Sequence, residues 1–105
     1  MRAAEALSDP TRQRIVELLA DRELSAGELA AQFSTSRPAV SRHLRVLRGL
    51  GLVRVRSEAQ RRLYSLDPGP LAELDDWLGR YRSFWLQRLD ALDTQLARSR
   101  GKQRA

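Results

Sequence analysis

Arginine is the residue type in this chain whose number and placement point to a chemical role. It supplies 18 of the 19 cationic side chains among the 105 residues. Residues 35–62 hold eight arginines and one acid, a net charge of +7, whereas residues 1–34 and 63–97 carry −2 and −3. A basic block between two acidic ones predicts a local positive surface that binds a polyanion. The guanidinium group suits phosphates and guanine edges, although a genome rich in G and C would also raise the arginine content.

The stretch TSRPAVSRHLRVL, at residues 35–47, predicts a helix with one apolar side and one basic side. On a helical wheel, Val40, Leu44 and Leu47 fall in one sector, which should face a core. The other sides carry cations, a hydroxyl and small residues, namely Arg37, Pro38, Ala39, Ser41, Arg42, Arg45 and Gly49. A helix of this kind fits the major groove of DNA, where its first turns meet base edges.

Helix start and stop signals around that stretch predict a helix-turn-helix. Asp9 is a typical N-cap and begins one helix. The buried side of that helix is predicted to consist of Ile15, Leu18 and Leu19. Ser25 with Glu28 is a capping box that begins a short second helix. The basic helix, residues 36–50, follows after a tight turn, and Gly51 fits the left-handed position that ends it.

Residues 52–66 predict a β-hairpin directly after the basic helix. Two valines alternate with two arginines in VRVR, a polar loop follows, and a second apolar run completes the pattern. A hairpin in this position is a wing, and its arginines should reach the phosphate backbone: Arg54, Arg56, Arg61 and Arg62. The sequence leaves open whether Leu63 or Tyr64 points inward.

The C-terminal segment GPLAELDDWLGRYRSFWLQRLDALDTQLA predicts a long helix with a broad apolar stripe. The stripe exceeds what one helix-turn-helix could cover, so a second copy related by a two-fold axis is expected to cover it. The residues predicted at this dimer interface are Leu71, Leu74, Trp77, Leu78, Tyr81, Phe84, Trp85, Leu89 and Leu92. Alternatively, the aromatic residues bind a small apolar effector. The basic tail, residues 98–105, is predicted to be disordered.

Several functional classes lack the residues that they need. With no cysteine and a single histidine, His43, the sequence offers no thiolate site and no conventional zinc site. It contains no set of a nucleophile, a general base and a residue that orients the base, and no glycine-rich phosphate loop, so neither an enzyme nor a cofactor is predicted.

No apolar run approaches the roughly 20 residues of a membrane span, and MRAAEALSDP lacks a secretory apolar region. The expected location is therefore cytoplasmic.

The run LSDPTRQRIVELL … LSAGELAAQFSTSRPAVSRHLRVLRGLGLVRVR … RRLYSL resembles the ArsR/SmtB family of winged helix-turn-helix transcriptional regulators. The resemblance covers roughly residues 5–97 and implies a homodimeric bacterial repressor that binds a partly palindromic operator in double-stranded DNA. Carried over residue by residue, the DNA-facing positions would be Ser36, Arg37, Ala39, Ser41, Arg42 and Arg45. The family's dimer interface implies that the first short helix, near residues 3–7, joins the last helix.

The chain departs from the family's pattern at the metal sites and at the wing tip. Many members bind metals through cysteines on the helix before the recognition helix, where this chain reads GELAAQF. Others use histidine and acidic residues on the last helix, which here has no histidine. The chain therefore resembles a metal-free branch of the family, and it lacks the glycine often found at the wing tip.

The sequence thus predicts a mainly α chain with a small β-hairpin, in which residues 1–97 form a winged DNA-binding and dimerisation domain. The functional alternative is a dimeric protein-interaction module whose basic side binds an acidic partner.

Overall fold

The structure, a computed structural model, describes residues 1–104, with side chains as far as Ser99. The chain divides into two compact units, Met1–Leu74 and Asp75–Ala105. The helices are α1 (Arg2–Ala6), α2 (Pro10–Asp21), α3 (Ala26–Ala30), α4 (Arg37–Gly49), α5 (Gly69–Gly79) and α6 (Arg82–Arg104). The strands are β1 (Leu24–Ser25), β2 (Val53–Glu58) and β3 (Arg61–Leu66). The mainly helical fold with a β-hairpin that the sequence predicts is confirmed.

Side-chain caps begin α2, α3 and α4 at the positions predicted. Asp9 and Ser36 accept hydrogen bonds of 3.0 and 3.3 Å from first-turn N–H groups of α2 and α4. At α3 the capping box is complete: the Ser25 hydroxyl accepts from the Glu28 N–H at 3.1 Å, and the Glu28 carboxylate accepts from the Ser25 N–H at 3.0 Å. These bonds satisfy amides that have no partner inside the helix, and so they determine where each helix begins.

The core of the first unit is built from α2, α3, α4 and the hairpin. The side of α4 that the wheel assigns to the core is buried, at Val40, Leu44 and Leu47. Ile15 and Leu19 of α2 are buried as predicted, but Val16 is buried in place of Leu18, which is half-buried. The correction is small because both sets form one stripe at helical spacing.

A three-stranded antiparallel sheet in the order β1-β3-β2 joins the wing to the helix-turn-helix. The hairpin of β2 and β3 is confirmed, and β1 is an addition that the sequence analysis missed. Leu24 of β1 pairs with Tyr64, and Ser25 pairs with Leu63. Leu63 is 7% exposed and Tyr64 is half-buried, but Tyr64 shares a face of the sheet with Leu24 and is the one of the two that packs against the core cluster. Leu63 pairs with Arg56 on the opposite face, so Tyr64 is the residue that points into the core. Ser25 both pairs with β3 of the wing and caps α3. The wing is therefore attached directly to α3, the first helix of the helix-turn-helix.

The C-terminal segment forms two helices, and the prediction of one long helix was wrong. A turn at residues 80–81 separates α5 from α6. Gly79 ends α5, and glycine is about 1 kcal/mol less favourable than alanine inside a helix, which favours an end there. The backbone of α6 is helical through residues 98–104, where the sequence predicts disorder, and Ala105 lies outside the described residues. That this basic segment is a separate tail stays a prediction.

None of the helices within residues 1–104 combines the length and the apolar composition that crossing a bilayer requires.

Gly51 ends α4 in the left-handed conformation that the sequence predicts, with φ 81°. The Leu52 N–H donates to the Leu47 carbonyl at 3.0 Å and the Gly51 N–H donates to the Arg48 carbonyl at 3.1 Å, the bond pair of a Schellman motif. A Cβ at this position would lie 2.8 Å from a guanidinium nitrogen of Arg2. The motif turns the chain from α4 toward β2, so it sets the position of the wing.

We expect Gly51→Ala to lower the free energy of unfolding by about 1–2 kcal/mol, because a side chain makes the left-handed region costly. Gly49→Ala is the matched control: position 49 is helical and has no atom within 4 Å of the added Cβ. Alanine there should leave stability unchanged or raise it by up to about 1 kcal/mol. Urea unfolding of both variants measures the difference, and a Gly51→Ala protein as stable as the parent would contradict the assignment.

Candidate nucleic-acid interface

α4 exposes the basic side that the sequence predicts. Of the positions predicted to face DNA, Ser36, Arg37, Arg42 and Arg45 are exposed, and Ala39 and Ser41 are half-buried. Within the side chains that the structure describes, no acid forms an ion pair with any arginine of α4. The charge of this helix is therefore available to an external anion.

Two adjoining grooves lie between α4 and the wing. Their volumes are about 420 and 300 Å³. The arginines that line them are Arg37, Arg45, Arg48, Arg61 and Arg62. Ser41, Arg62 and Tyr64 line both grooves, so hydroxyl donors lie among the guanidinium groups. Phosphate oxygens are bound by donors of these two kinds.

Three of the four wing arginines pair with carboxylates of the protein itself. The pairs are Arg54 with Asp67 (2.9 Å, Nε to Oδ2), Arg56 with Glu23 (2.7 Å, Nε to Oε2) and Arg61 with Glu28. Arg62 has no such partner among the described side chains. Exposed pairs of this kind contribute about 0–1 kcal/mol, so an external phosphate can replace the carboxylate. The wing arginines therefore differ: Arg62 can bind a phosphate at once, and the other three must first exchange a partner.

His43 lies on the protein-facing side of α4. It is half-buried, and its Nδ1 atom is 3.8 Å from the Oδ2 atom of Asp9 at the start of α2. The hydrogen bond from the Arg12 N–H, and to a smaller extent the His43 side chain, lower the pKa of Asp9. His43 thus connects α4 to α2.

The described residues contain no group of three histidine, cysteine or acidic side chains that could hold a metal ion. In the family that the sequence resembles, metal-binding cysteines lie on the helix that corresponds to α3, and the sequence of α3, AGELA, offers neither a thiol nor an imidazole. The donor set at that position therefore does not fit a metal.

The residues predicted at a dimer interface fall into two groups. Leu71 is half-buried and packs against the core of the first unit, and Leu74 and Leu78 are also half-buried. The others are exposed by 42–56%: Trp77, Tyr81, Phe84, Trp85, Leu89 and Leu92. We use the name apolar face for the α6 residues Trp85, Leu89, Leu92 and Leu96, which recur at spacings of four, three and four. Large apolar side chains exposed along one side of a helix are typical of an interaction surface.

Arg48 and Tyr64 line the grooves but were not among the residues predicted to bind DNA. Arg48 lines the smaller groove, and its spacing of seven from Ser41 and three from Arg45 contained the necessary signal. Tyr64 lines both grooves, but its position depends on the register of the hairpin, which the sequence did not determine.

Comparison with known proteins agrees with this geometry. The family model described as "Bacterial regulatory protein, arsR family" matches residues 9–55. The HTH-type transcriptional regulator Rv2034 of Mycobacterium tuberculosis is 50% identical over 88 residues, which cover 84% of this chain and 79% of that protein. The transcriptional repressor SdpR of Bacillus subtilis is 34% identical over 74 residues, 70% of this chain and 82% of that protein. The solved structure of an ArsR-like transcriptional regulator from Rhodococcus sp. RHA1 has a TM-score of 0.73 and 33% identity, covering 93% of this chain and 89% of that one.

Proposed function

Since this chain belongs to the ArsR family of bacterial regulatory proteins, we propose that it is a homodimeric repressor that inserts α4 into the major groove of an operator. It is a transcriptional regulator with a DNA-binding fold, and its relatives are named as regulators rather than enzymes. The β2–β3 wing contacts the sugar-phosphate backbone beside the groove. A protein that binds the bacterial chromosome works in the cytoplasm, which is the location proposed.

The observation that carries the proposal is the exposed basic side of α4, which no acid among the described side chains pairs with. Arg42 and Arg45 are exposed near the middle of the helix, and Ser36 opens it as an N-cap. The buried residues of α4 hold the opposite side against the core, so the helix presents a fixed surface. Arginine at such positions reads guanine edges, and phosphate donors on either side fix the register on the duplex.

The apolar face supports the proposed dimer. A two-fold pairing places two copies of α4 on the same side of the duplex, where half-sites about 34–36 Å apart, or a multiple of it, are expected. Such a dimer binds a partly palindromic operator, since each half-site meets the same helix. The Bacillus subtilis relative SdpR is named a repressor, which supports repression, whereas the Vibrio cholerae relative HlyU is named an activator, so a reporter assay has to decide the direction.

Footprinting on the DNA upstream of the protein's own gene is the direct test. We expect protection of two half-sites on one face of the duplex, together with lower expression of a reporter placed behind that DNA. Unprotected DNA, or protection of any duplex to the same extent, would contradict specific binding. A reporter that rises on binding would instead identify an activator. Release of the DNA by members of a library of apolar compounds would support an effector site among the aromatic residues.

The salt dependence of operator binding provides a quantitative check. Each phosphate neutralised contributes about −0.9 to the slope of log affinity against log salt concentration. Within α4 and the wing, five arginines of each protomer form no ion pair among the described side chains: Arg37, Arg42, Arg45, Arg48 and Arg62. If half of the ten in a dimer bind phosphates, the slope is about −4.5. A flat salt dependence in a binding titration would exclude this surface as the interface.

A further inference from the structure

Glu28 places one carboxylate at the edge of the larger groove. Its Oε1 atom accepts a hydrogen bond from the Ser25 N–H at 3.0 Å, and the same atom accepts from the guanidinium of Arg61. The side chains of Glu28 and Arg61 are 46% and 59% exposed. Ser25 and Arg61 both line the groove, together with Arg37 and Arg62. A fixed negative charge therefore lies beside a cationic groove that is suited to phosphate.

This carboxylate is charged under the conditions in which DNA binds. The hydrogen bond from the Ser25 backbone N–H, aided by the Ser25 side chain and by the charge of Arg61, lowers the pKa of Glu28. Glu28 therefore neutralises Arg61 in the free protein. The pair is exposed and screened by solvent, so a phosphate that enters the groove can compete for the guanidinium.

Exchange of the carboxylate for a phosphate has a distinctive salt dependence. A free arginine that binds a phosphate releases the cation condensed on that phosphate. When Arg61 leaves Glu28 for a phosphate, the exposed carboxylate attracts a cation in its turn, so the net release is close to zero. Arg62, the next residue along β3, forms no ion pair among the described side chains and releases the full amount.

We propose that Glu28 is an internal counterion of Arg61 that DNA must displace, and that it limits the affinity of this surface for any duplex. The inference rests on the proposed DNA-binding function and adds a residue that opposes it. Because the competition concerns phosphate, the effect is independent of base sequence. Glu28 thus weakens binding to non-specific DNA as well as to an operator.

The variant that tests this proposal is Glu28→Gln, which removes the charge and retains the cap. Glutamine serves at this position of a capping box, so the start of α3 is preserved, and a thermal unfolding curve checks that it is. The probe is a mixed-sequence duplex of about 30 base pairs, titrated at 50 and 200 mM salt by fluorescence anisotropy. We expect Glu28→Gln to bind more tightly than the parent, with an advantage about threefold larger per protomer at 50 mM than at 200 mM.

Two further comparisons separate the proposal from a general effect of charge. Glu17→Gln removes the same charge from the Arg14–Glu17 pair on α2, and it should change duplex affinity less than Glu28→Gln does. Arg62→Gln should weaken duplex binding and make the slope of log affinity against log salt concentration shallower by about 0.9 per protomer. Arg61→Gln should have these two effects only when it is combined with Glu28→Gln. Comparing the single variants Arg61→Gln and Arg62→Gln tests the proposal without altering Glu28, so the cap of α3 is the same in both proteins.

Each outcome decides a separate point. Equal or weaker binding by Glu28→Gln, an equal gain in Glu17→Gln, or equal losses in Arg61→Gln and Arg62→Gln would overturn the counterion role and leave DNA binding intact. If the parent and all variants fail to bind the duplex at 50 mM salt, the proposed function itself is refuted, and the role of Glu28 falls with it.

Discussion

Arg42→Ala and Arg45→Ala are each expected to reduce strongly the preference of this protein for its operator over other duplex DNA. Both side chains are exposed on the side of α4 that lies away from the buried Leu44, and neither has an acidic partner among the described side chains. A bidentate contact between arginine and guanine contributes about 1–3 kcal/mol of discrimination. A dimer loses the contact twice, so operator affinity should fall by about 2–6 kcal/mol.

The control for these variants is Arg14→Ala, which removes the same charge from α2, where Arg14 pairs with Glu17 at 3.2 Å. It should lower operator affinity by no more than a small, salt-dependent amount. The measurement is a titration of each variant with the footprinted operator and with a mixed-sequence duplex. Unchanged operator preference in both α4 variants would show that α4 does not read the bases. Loss of binding to an acidic protein in the same variants would then favour the interaction module.

The features of the fold that the sequence predicted correctly depend on short-range signals. Asp9, Ser25 and Ser36 cap their own helices within three residues, and Gly51 closes α4 through bonds that span three and five residues. The apolar spacing of α4 determines which side is buried. Once the apolar residues of α4 are assigned to the core, the other positions of the helix must be exposed. The arginines of α4 could therefore be assigned to the surface before the structure was known.

The features that the sequence did not predict depend on contacts between distant residues. The Arg56–Glu23 and Arg61–Glu28 bonds each join residues 33 positions apart, and both require β1, a strand of two residues. A strand this short has no visible alternation of apolar and polar residues. The charge pattern alone therefore assigned the wing arginines to DNA, although three of them have partners within the protein.

Two further differences reflect local conformations that tertiary structure imposes. Ala59, in the wing turn, has φ 54°, a left-handed conformation that favours glycine. Pairing of β2 with β3 leaves two residues for this turn, so the hairpin holds alanine there in spite of the strain. In the C-terminal segment the apolar spacing continues past Gly79, which is why the break between α5 and α6 was missed.

Replacement of Leu89 and Leu92 by glutamate is expected to keep the protein monomeric at micromolar concentration. Both side chains lie in the middle of the apolar face of α6 and are 54% and 51% exposed in the single chain. A two-fold interface across this face would bury four added carboxylates without partners, and burial of one unpaired charge already costs several kcal/mol. The dimer should therefore dissociate, which light scattering coupled to gel filtration measures directly.

The same double variant connects the proposed dimer to operator binding. Its basic helix and wing are unaltered, so a monomer retains weak binding to a mixed-sequence duplex and loses the additional affinity that two linked half-sites provide. Gln87→Glu is the control, since residue 87 lies on the opposite side of α6 and is exposed. That variant should remain dimeric and bind the operator as the parent does. If the Leu89→Glu/Leu92→Glu protein remained a dimer with full operator affinity, another surface would have to hold the two copies together, and the exposed aromatic residues of this segment would then be available to an apolar ligand.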